Sequence, residues 1–289
     1  MTRPVVLACG LATVDVVQTV DHVPAADEKL VALATRVEAG GPALNAAMTA
    51  ALLGMPCRLV SAVGRSPLAE VVRADCAEHG VELVDLAGEG FHVPVASVLV
   101  TAATGERAVA SGPVAGRVTT RPLGAHELAA ALDGVAAVLV DGHHLSASVP
   151  LAASARAAGI PVLVDGGSWK PGLEALLAHA DVIVASADFH PLGGDRLDDL
   201  LSLGPVWVAR SAGAGPVEWR AVGGSSGAVE PPRVDVVDTL GAGDVLHGAL
   251  LAEVGRHGIH DLPGALHRAV TVASRSVAAV GARGWTVGD

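Results

Sequence analysis

Aromatic residues and long apolar runs are both scarce in this sequence. Its 289 residues include two Phe, four Trp and no Tyr, so aromatic side chains make up only 2% of the chain. No apolar run approaches the roughly 20 residues that a transmembrane helix needs. The apolar stretch that begins at Val5 soon meets Asp15, which does not fit a secretory signal peptide. We therefore expect a soluble, cytoplasmic protein without a membrane partner.

Positive charge and cysteine are also scarce. The chain has 19 Lys and Arg against 30 Asp and Glu, which gives a net charge of −11. Nucleic-acid-binding proteins usually carry basic clusters, so we expect no nucleic-acid partner. The three cysteines, Cys9, Cys57 and Cys76, lack the C-x-x-C spacing of a zinc site and are expected to be reduced and buried. An acidic chain can still bind anions through backbone N–H groups and a metal ion.

Short segments rich in Val, Leu and Ile alternate along the chain with longer Ala-rich segments of helical character. Near-continuous apolar strands separated by helices predict a parallel sheet that is covered on both faces. Strands are predicted at residues 5–9, 58–63, 137–140, 161–164, 182–184, 206–209 and 233–237. Helices are predicted at residues 45–53, 67–79, 126–132, 151–158 and 173–179. The length suits one α/β domain over residues 1–289.

Two regions break this alternation, at about residues 29–38 and 93–110. The second region alternates apolar and polar residues around Thr104-Gly105, which predicts a β-hairpin. We expect both regions to form a small β-sheet that stands off the main body as a lid. The alternative is that they are edge strands of the main sheet. An exposed apolar face of such a lid could also pair with a second copy of the chain to form a homodimer.

The segment 238–251, DTLGAGDVLHGALL, predicts a glycine turn that leads into a helix. Apolar residues recur at helical spacing after the turn, so the helix is expected over about 242–256. The N–H groups of its first turn, at Gly241, Ala242 and Gly243, have no partners within the helix. Together with the helix dipole they form an anion hole for a transferred phosphoryl group.

Asp244 follows this glycine turn directly. A carboxylate beside the anion hole could accept the proton of an attacking hydroxyl group. We expect the helix dipole to keep Asp244 ionised at neutral pH, which would make it a modest base. The alternative is an ordinary helix start, where acidic residues are favoured for structural reasons.

The full string is much more specific than its Gly-x-Gly-Asp part. DTLGAGD resembles the C-terminal signature D-T-x-G-A-G-D of the ribokinase-like (PfkB) carbohydrate kinases. The resemblance implies a three-layer α/β/α sandwich with a mostly parallel central sheet and a small β-sheet lid. It implies ATP and Mg²⁺ as cofactors and leaves open a monovalent cation. It also makes Asp244 the catalytic base, the Gly241, Ala242 and Gly243 turn the anion hole, and Thr239 a residue near the phosphates.

The N-terminal half resembles the substrate signature of the same family. In GLATVD, residues 10–15, the resemblance implies that Asp15 binds sugar hydroxyls. In GGPALNAA, residues 40–47, it implies that Gly41 lets the sugar approach closely and that Asn45 supplies a donor and an acceptor. A solvated loop residue and a helix N-cap are the alternatives for Asp15 and Asn45. The resemblance covers about residues 3–285 and is nearest to the ketohexokinase and sulfofructose-kinase branches.

The sequence departs from the family pattern in three places. Many members have an Asn-x-x-Glu motif that organises Mg²⁺ through water, but the matching positions here are Ser186 and Phe189, with Asp188 as a partial substitute. We therefore assign no direct metal ligand. Pro42 replaces a second Asn-like sugar contact. The Lys that sugar-phosphate members often carry within the Gly-Gly motif is absent, which favours a non-phosphorylated substrate.

Other candidate residues follow from their places beside predicted strands. Asp141, His143 and His144 follow the strand 137–140, at the edge where α/β proteins bind ligands, and we expect substrate contacts there. Solvated loop residues are the alternative for each of the three.

Nucleotide contacts are expected near the C-terminal part of the chain. The segment RSAGAG, residues 210–215, should form a loop that contacts ATP. A last helix over about 262–280 and GARG, residues 281–284, should flank the adenine by family analogy. The cofactor-binding candidates are therefore Ser186, Arg210, Gly213, Gly215, Thr239, Gly241, Gly243, Ser274 and Ala278.

The reaction expected from these features is the transfer of a phosphoryl group from ATP to a sugar. Two alternatives stay open. A nucleoside kinase on the same fold is disfavoured by the few aromatic residues available to stack a base. A non-catalytic sugar- or nucleotide-sensing protein is disfavoured by the intact Asp244 and its glycines.

Overall fold

A computed structural model describes residues 3–112, 120–191, 194 and 196–286 of the chain. The strands are β1 (Val5–Cys9), β2 (Thr13–Val20), β3 (Ala34–Gly40), β4 (Cys57–Ser61), β5 (Glu82–Asp85), β6 (Val95–Thr101), β7 (Arg107–Ser111), β8 (Val135–Val140), β9 (Val162–Gly166), β10 (Val182–Ala185), β11 (Trp207–Arg210), β12 (Val217–Ala221) and β13 (Ser226–Val229). The helices are α1 (Pro42–Leu52), α2 (Ala69–Glu78), α3 (Ala125–Leu132), α4 (Leu145–Ala157), α5 (Leu173–Leu177), α6 (Leu197–Leu201), α7 (Ala242–His257) and α8 (Leu262–Ser276), with a short 3₁₀ turn at Gly284–Thr286.

The main body is a nine-stranded sheet in the order β13-β12-β11-β10-β9-β8-β1-β4-β5. Its strands pair in parallel from β5 to β11, and β12 and β13 continue antiparallel at one edge. Helices α1, α2, α7 and α8 pack on one face, and α3 to α6 pack on the other. Because both faces are covered, the central strands are apolar almost throughout. The three-layer α/β/α architecture is confirmed.

A separate four-stranded sheet, in the order β3-β2-β6-β7, stands beside the main sheet. Strands β6 and β7 form the expected antiparallel hairpin, with Gly105 in the left-handed region at φ 69° in its turn. The prediction of a small second sheet is therefore confirmed. The GLATVD segment, residues 10–15, leads into its strand β2. In the structure this strand pairs with both β3 and β6, and it thereby places Asp15 within the small sheet.

Some predicted elements were wrong in kind or in length. Residues 233–237 are not a strand, and this largely exposed segment instead leads to the end of α8, where the backbone N–H groups of Val237 and Asp238 both donate to the Val277 carbonyl. Helix α4 begins at Leu145, six residues before the predicted start, and contains Pro150. Helix α8 ends at Ser276 and not near residue 280. No described helix combines the length and apolar character needed to cross a membrane.

The order of the strands places a ligand site at the carboxyl ends of β1 and β8. The chain proceeds from β1 toward β4 on one side of the sheet and from β8 toward β9 on the other, so the β1–β8 boundary is a topological switch point. Gly10 follows β1, and a Cβ atom there would collide with the Asp141 carboxylate that follows β8. The two chain segments therefore approach each other closely at this edge.

Helices α1 and α7 meet through Gly248. A Cβ atom at this position would overlap the carbonyl oxygen of Ala46 and lie 2.7 Å from Cβ of Thr49. The glycine lets the two helix backbones touch, and this contact holds the first turns of both helices at the same edge of the sheet.

Replacing this glycine should therefore separate the two helices. We expect Gly248→Ala to lower the free energy of unfolding by about 1–3 kcal/mol, because backbone atoms cannot give way to the added methyl group. Gly243→Ala is the matched control for stability on the same helix, since no described atom outside the neighbouring backbone of that helix lies within 4 Å of its Cβ position. Urea unfolding of both variants tests this, and equal loss of stability in the two would contradict it.

Candidate active site

The turn at the start of α7 has the form that an anion hole requires. Gly241 is the N-cap residue with φ 75°, a left-handed conformation that suits glycine. Gly243 is exposed, and no atom of the described chain lies within 4 Å of where its Cβ would be. The Ala242 N–H donates to the Thr239 carbonyl over 3.4 Å, which leaves the N–H groups of Gly241 and Gly243 for an anionic group that approaches the uncovered side of the turn.

Asp244 lies in this first turn and is held by a hydrogen bond from α1. The Asn45 Nδ2 donates to Asp244 Oδ2 over 2.7 Å, and the Asn45 Oδ1 accepts from Nη2 of Arg283 at 3.3 Å. Arg283 is anchored in turn to Asp75, with 2.7 Å between Nη1 and Oδ2. The donor on one side and the acceptor on the other fix the orientation of the Asn45 amide. The amide therefore holds the carboxylate of Asp244 in place.

The environment of Asp244 raises its pKa to about 7, chiefly through burial. The negative charges of Asp165 and Asp141 add to this effect, while the Asn45 hydrogen bond and the His247 charge oppose it. With a pKa of about 7 the carboxyl group is only partly ionised at neutral pH, which is less than we expected from the helix dipole alone. A base with a pKa near the working pH is a better proton acceptor than a strongly acidic carboxylate.

A cavity of about 160 Å³ lies between the small sheet, α1 and the chain after α8. Its lining residues are Asp15, Arg36, Glu38, Ala39, Gly40, Asn45, Leu240, Val280, Gly281, Ala282, Arg283 and Gly284. Asp15 and Glu38 are directly opposite on β2 and β3, and burial raises the pKa of both carboxyl groups. Residues 281–284 share this cavity with Asp15 and Asn45, and the expectation that they also flank the adenine stays a prediction.

The Gly40-Gly41 pair is explained by the packing of the chain around this cavity. A Cβ atom on Gly40 would collide with the carboxylate of Asp15. Gly41 has φ 96°, and a Cβ atom there would lie 2.6 Å from the Leu11 carbonyl oxygen. Gly41 lets α1 start close to the end of β1 and is not among the residues that line the cavity, so its close approach to a sugar stays a prediction.

Asp141 has a structural role that the sequence did not predict. Its Oδ2 accepts from the backbone N–H groups of Leu11 at 2.8 Å and Ala43 at 3.2 Å, and its Oδ1 accepts from that of His143 at 2.9 Å. Burial opposes its charge, but the charge and hydrogen bonds of His143 and the backbone donors outweigh burial and lower the pKa to about 2. With both oxygens bonded and 4% exposure, the expected substrate contact of Asp141 is not supported.

His144 starts α4 in a left-handed conformation with φ 53°. Its Nε2 is buried without a hydrogen-bond partner among the described residues, and burial lowers the pKa of the ring. His144 is not among the residues that line the cavity, so its contact with a substrate stays a prediction.

The nucleotide-side candidates lie at the carboxyl ends of β10 and β11. Arg210 Nη1 donates to the carbonyl of Ser186 at 2.8 Å and to that of Phe189 at 3.3 Å, so the predicted Ser186 and Arg210 are brought together. Phe189 is fully buried and packs edge-on against Trp169. The Asn-x-x-Glu motif is thus replaced by a hydroxyl and a core aromatic ring, while Asp188 is exposed beside Ser186.

The remaining nucleotide-side candidates are more scattered. Gly213 is exposed with φ 58° in the loop between β11 and β12, which also contains Gly215. Ser274 is buried within α8, which does not favour a side-chain contact with ATP, and Ala278 is exposed after the helix ends. Thr239 is exposed, and its carbonyl accepts from Nη1 of Arg107 on the small sheet at 3.1 Å.

Comparison with known proteins decides what kind of site this is. The model of the family described as pfkB family carbohydrate kinase matches residues 4–286. The chain belongs to this family. Its members are ATP-dependent carbohydrate kinases. The DTLGAGD signature of this kinase contains Asp244 and the glycine turn beside it.

Solved structures share the fold of this kinase at low sequence identity. A provisionally assigned ribokinase from Agrobacterium tumefaciens is 23% identical with a TM-score of 0.84, and the match covers 98% of this chain and 94% of that one. An Arabidopsis thaliana ribokinase in complex with ribose and ATP is 19% identical with a TM-score of 0.75, covering 97% and 94%. A Xylella fastidiosa fructokinase with bound ATP is 21% identical with a TM-score of 0.75, covering 97% and 94%.

The sequence analysis missed several residues of the site, among them the cavity-lining Arg36 and Glu38 as well as Asp165, His247 and Arg283. Asp165 directly follows the predicted strand 161–164, so the rule that drew attention to Asp141 could have identified it as well. His247 lies one helical turn after Gly243 within the signature helix, and its spacing was a usable signal. Arg283 lies in the GARG segment but gives no local signal for its contact with Asn45, because that contact joins residues 238 positions apart.

The raised pKa of Asp244 should cost the kinase stability at alkaline pH. The pKa of this carboxyl group is about 7 in the folded state and 3.8 ordinarily, so between these pH values the folded state binds more protons than the unfolded state. The stabilisation that comes from the protonated carboxyl group is therefore lost as the pH rises from 3.8 through 7. We expect Asp244→Asn to raise the melting temperature at pH 8 and to have a smaller effect at pH 5. The exposed Asp235→Asn serves as the control, and an Asp244→Asn protein less stable than the wild type at pH 8 would contradict the assignment.

Proposed function

We propose that this kinase transfers the terminal phosphoryl group of ATP to a hydroxyl of a non-phosphorylated sugar, such as a ketose or ribose. One observation supports this most strongly. Asp244 lies beside the open Gly241–Gly243 turn and is bonded over 2.7 Å to Asn45, which itself lines the cavity with Asp15. A proton acceptor, an anion hole and a polar cavity therefore adjoin one another.

Each of these groups has a defined task in the reaction. The sugar hydroxyl donates its proton to Asp244 as its oxygen attacks the phosphorus. The N–H groups at the start of α7 stabilise the charge that spreads over the equatorial phosphoryl oxygens. Asn45 keeps the carboxylate turned toward the acceptor hydroxyl, and this positioning lowers the entropic part of the barrier.

Mg²⁺ bound with ATP would neutralise phosphate charge, and the exposed carboxylate of Asp188 suits the oxygen ligands that this ion takes. Asp188 donates its backbone N–H to the hydroxyl oxygen of Ser186 at 3.2 Å, which keeps its chain segment at the end of β10. We therefore propose Asp188 as the carboxylate that substitutes for the missing Glu. Ser186 and Arg210 would contact the nucleotide at the same edge.

The charges around the cavity support a neutral sugar. Two carboxylates, Asp15 and Glu38, balance two guanidinium groups, Arg36 and Arg283, so the lining carries no excess positive charge for a phosphorylated substrate. Carboxylates accept hydrogen bonds from hydroxyls and guanidinium groups donate to them, which suits a ring or chain that is rich in hydroxyls. Ribose and fructose are reasonable first candidates, given the names of the solved structures that share the fold.

The small sheet is proposed to act as a lid. Its arginines already reach the signature segment, since Arg107 donates to the Thr239 carbonyl and Arg36 Nη2 lies 3.8 Å from Asp238 Oδ2. Closure over a bound sugar would exclude water and limit ATP hydrolysis. The exposed Val31, Leu33 and Val37 give this sheet and its preceding segment an apolar surface that a second copy could cover in a homodimer.

A nucleoside kinase is the second candidate, and the cavity argues against it. None of the described residues that line the cavity is aromatic, so a nucleobase would have no ring to stack upon. A non-catalytic sensor would have no need of a carboxyl group tuned to a pKa of about 7 beside an anion hole.

A coupled assay of ADP release tests the proposal directly. We expect turnover with at least one neutral sugar in a panel of ketoses, pentoses, aldohexoses, sugar phosphates and adenosine. ADP release must depend on the acceptor, since release without any acceptor would be ATP hydrolysis. Preferred turnover of adenosine would favour the nucleoside kinase, and no turnover with any acceptor would favour the sensor.

The pH dependence of the reaction should report the ionisation of Asp244. We expect kcat/KM to rise with pH and to level off above about 7, because the deprotonated carboxylate is the active form. Asp244→Asn should lower kcat by roughly 10²–10⁴-fold, while leaving the affinity for ATP nearly unchanged. Initial rates and calorimetric ATP binding measure these effects. Near-normal turnover by Asp244→Asn would refute its role as the base.

A further inference from the structure

His247 is a buried histidine beneath the phosphoryl-transfer site whose function the reaction scheme does not include. It lies on α7, one turn after Gly243, and is only 5% exposed. Its Nδ1 lies 2.7 Å from the Gly243 carbonyl oxygen, and its Nε2 lies 3.2 Å from the Val184 carbonyl oxygen on β10. The same Nε2 lies 3.5 Å from Oδ1 of Asp165 on β9.

These partners determine how many protons the ring needs. A backbone carbonyl oxygen can only accept a hydrogen bond, so a ring nitrogen that bonds to it must carry a hydrogen. Both nitrogens of His247 face carbonyl oxygens, and both are satisfied together only when the ring is an imidazolium. Asp165, which is 8% exposed, lies where the balancing negative charge is needed.

The location of this pair connects it to catalysis. Gly243 belongs to the turn that forms the anion hole, and the ring ties the carbonyl of this residue to the carboxyl ends of β9 and β10. We propose that His247, as an imidazolium paired with Asp165, is a positioning residue that anchors the anion-hole turn and sets the charge that faces Asp244. The proposal rests on the phosphoryl-transfer function proposed above for this site.

The electrostatic setting gives the proposal a measurable consequence. Asp244 is faced by Asp165 from β9, Asp141 from the end of β8, His247 from its own helix and the Asn45 amide from α1. Burial raises the pKa of Asp165, and the positive charges of His143 and Lys170 oppose this rise. Removing the imidazolium would leave the negative charge of Asp165 uncompensated and increase the proton affinity of Asp244.

Charge-changing variants at the two positions should therefore shift the titration of Asp244 in opposite directions. We expect His247→Asn to move it upward by about half a pH unit or more, and Asp165→Asn to move it downward. The double variant should return toward the wild type, because it removes both charges. A histidine that only fills space would leave the titration of Asp244 unmoved in His247→Asn, whereas Asp165→Asn would still lower it, because the Asp165 charge acts on Asp244 directly.

Two readouts measure this shift. One is the acidic limb of the kcat/KM profile, and the other is the carboxyl ¹³C shift of Asp244 in labelled, ligand-free protein, which does not require activity. His257→Asn is the matched control, since His257 is exposed near the end of the same helix. An unmoved titration in His247→Asn, or shifts of the same sign in the two single variants, would overturn the proposal.

A measurement on the wild-type protein tests whether the His247 ring is doubly protonated, even where a variant does not fold. The ¹⁵N shifts of the His247 ring at the pH of maximal activity should be those of a doubly protonated imidazole, and a singly protonated ring would overturn the proposal. The outcome is distinguishable from that for the proposed function. A doubly protonated ring and opposite carboxyl shifts in a protein that phosphorylates no sugar would uphold the charge pair and reject the reaction.

Discussion

The hydrogen bond between Asn45 and Asp244 is the contact on which the site depends. It joins residues that lie 199 positions apart and links the start of α1 to the start of α7. The contact exists because Gly248 lets the two helices touch and because Gly41 lets α1 begin close to the end of β1. Both helix starts thereby meet at the carboxyl edge of the sheet, and the cavity and the anion-hole turn become neighbours.

The same edge gathers three carboxyl groups with different environments. Asp141 is bonded to backbone N–H groups and to His143, and it stays ionised. Asp165 and Asp244 have raised pKa values chiefly because burial opposes their charge; the charge of Asp141 adds to the rise in both, and that of Asp165 adds to the rise in Asp244. One carboxylate therefore accepts hydrogen bonds from the backbone, one lies beside a buried histidine, and one is the base that we propose. Their closeness costs stability at alkaline pH, as is common for carboxyl groups tuned for catalysis.

The sequence predicted the parts of this kinase that depend on local pattern. Apolar strands between helices indicated the parallel sheet, and the DTLGAGD string indicated the glycine turn and Asp244. Local sequence patterns do not predict contacts between distant segments. The hydrogen bonds of Asp141 to Leu11 and Ala43, and of Arg283 to Asn45, were therefore not predicted. The pKa of Asp244 was misjudged for the same reason, since the helix dipole is a local effect while burial and Asp165 are not. Residues 233–237 were predicted as a strand, but they pair with no strand of the described part of the chain.

The central claim is that Asn45 holds Asp244 against the acceptor hydroxyl while the Gly241–Gly243 turn holds the transferred group. A crystal structure of the kinase with a phosphorylated sugar, or with its sugar and a non-hydrolysable ATP analogue, tests this most directly. We predict a sugar hydroxyl oxygen about 2.6–3.2 Å from Asp244, with the phosphoryl oxygens against the backbone of this turn. A phosphoryl group bound elsewhere, or a sugar that lies away from Asp244 and Asn45, would contradict the account.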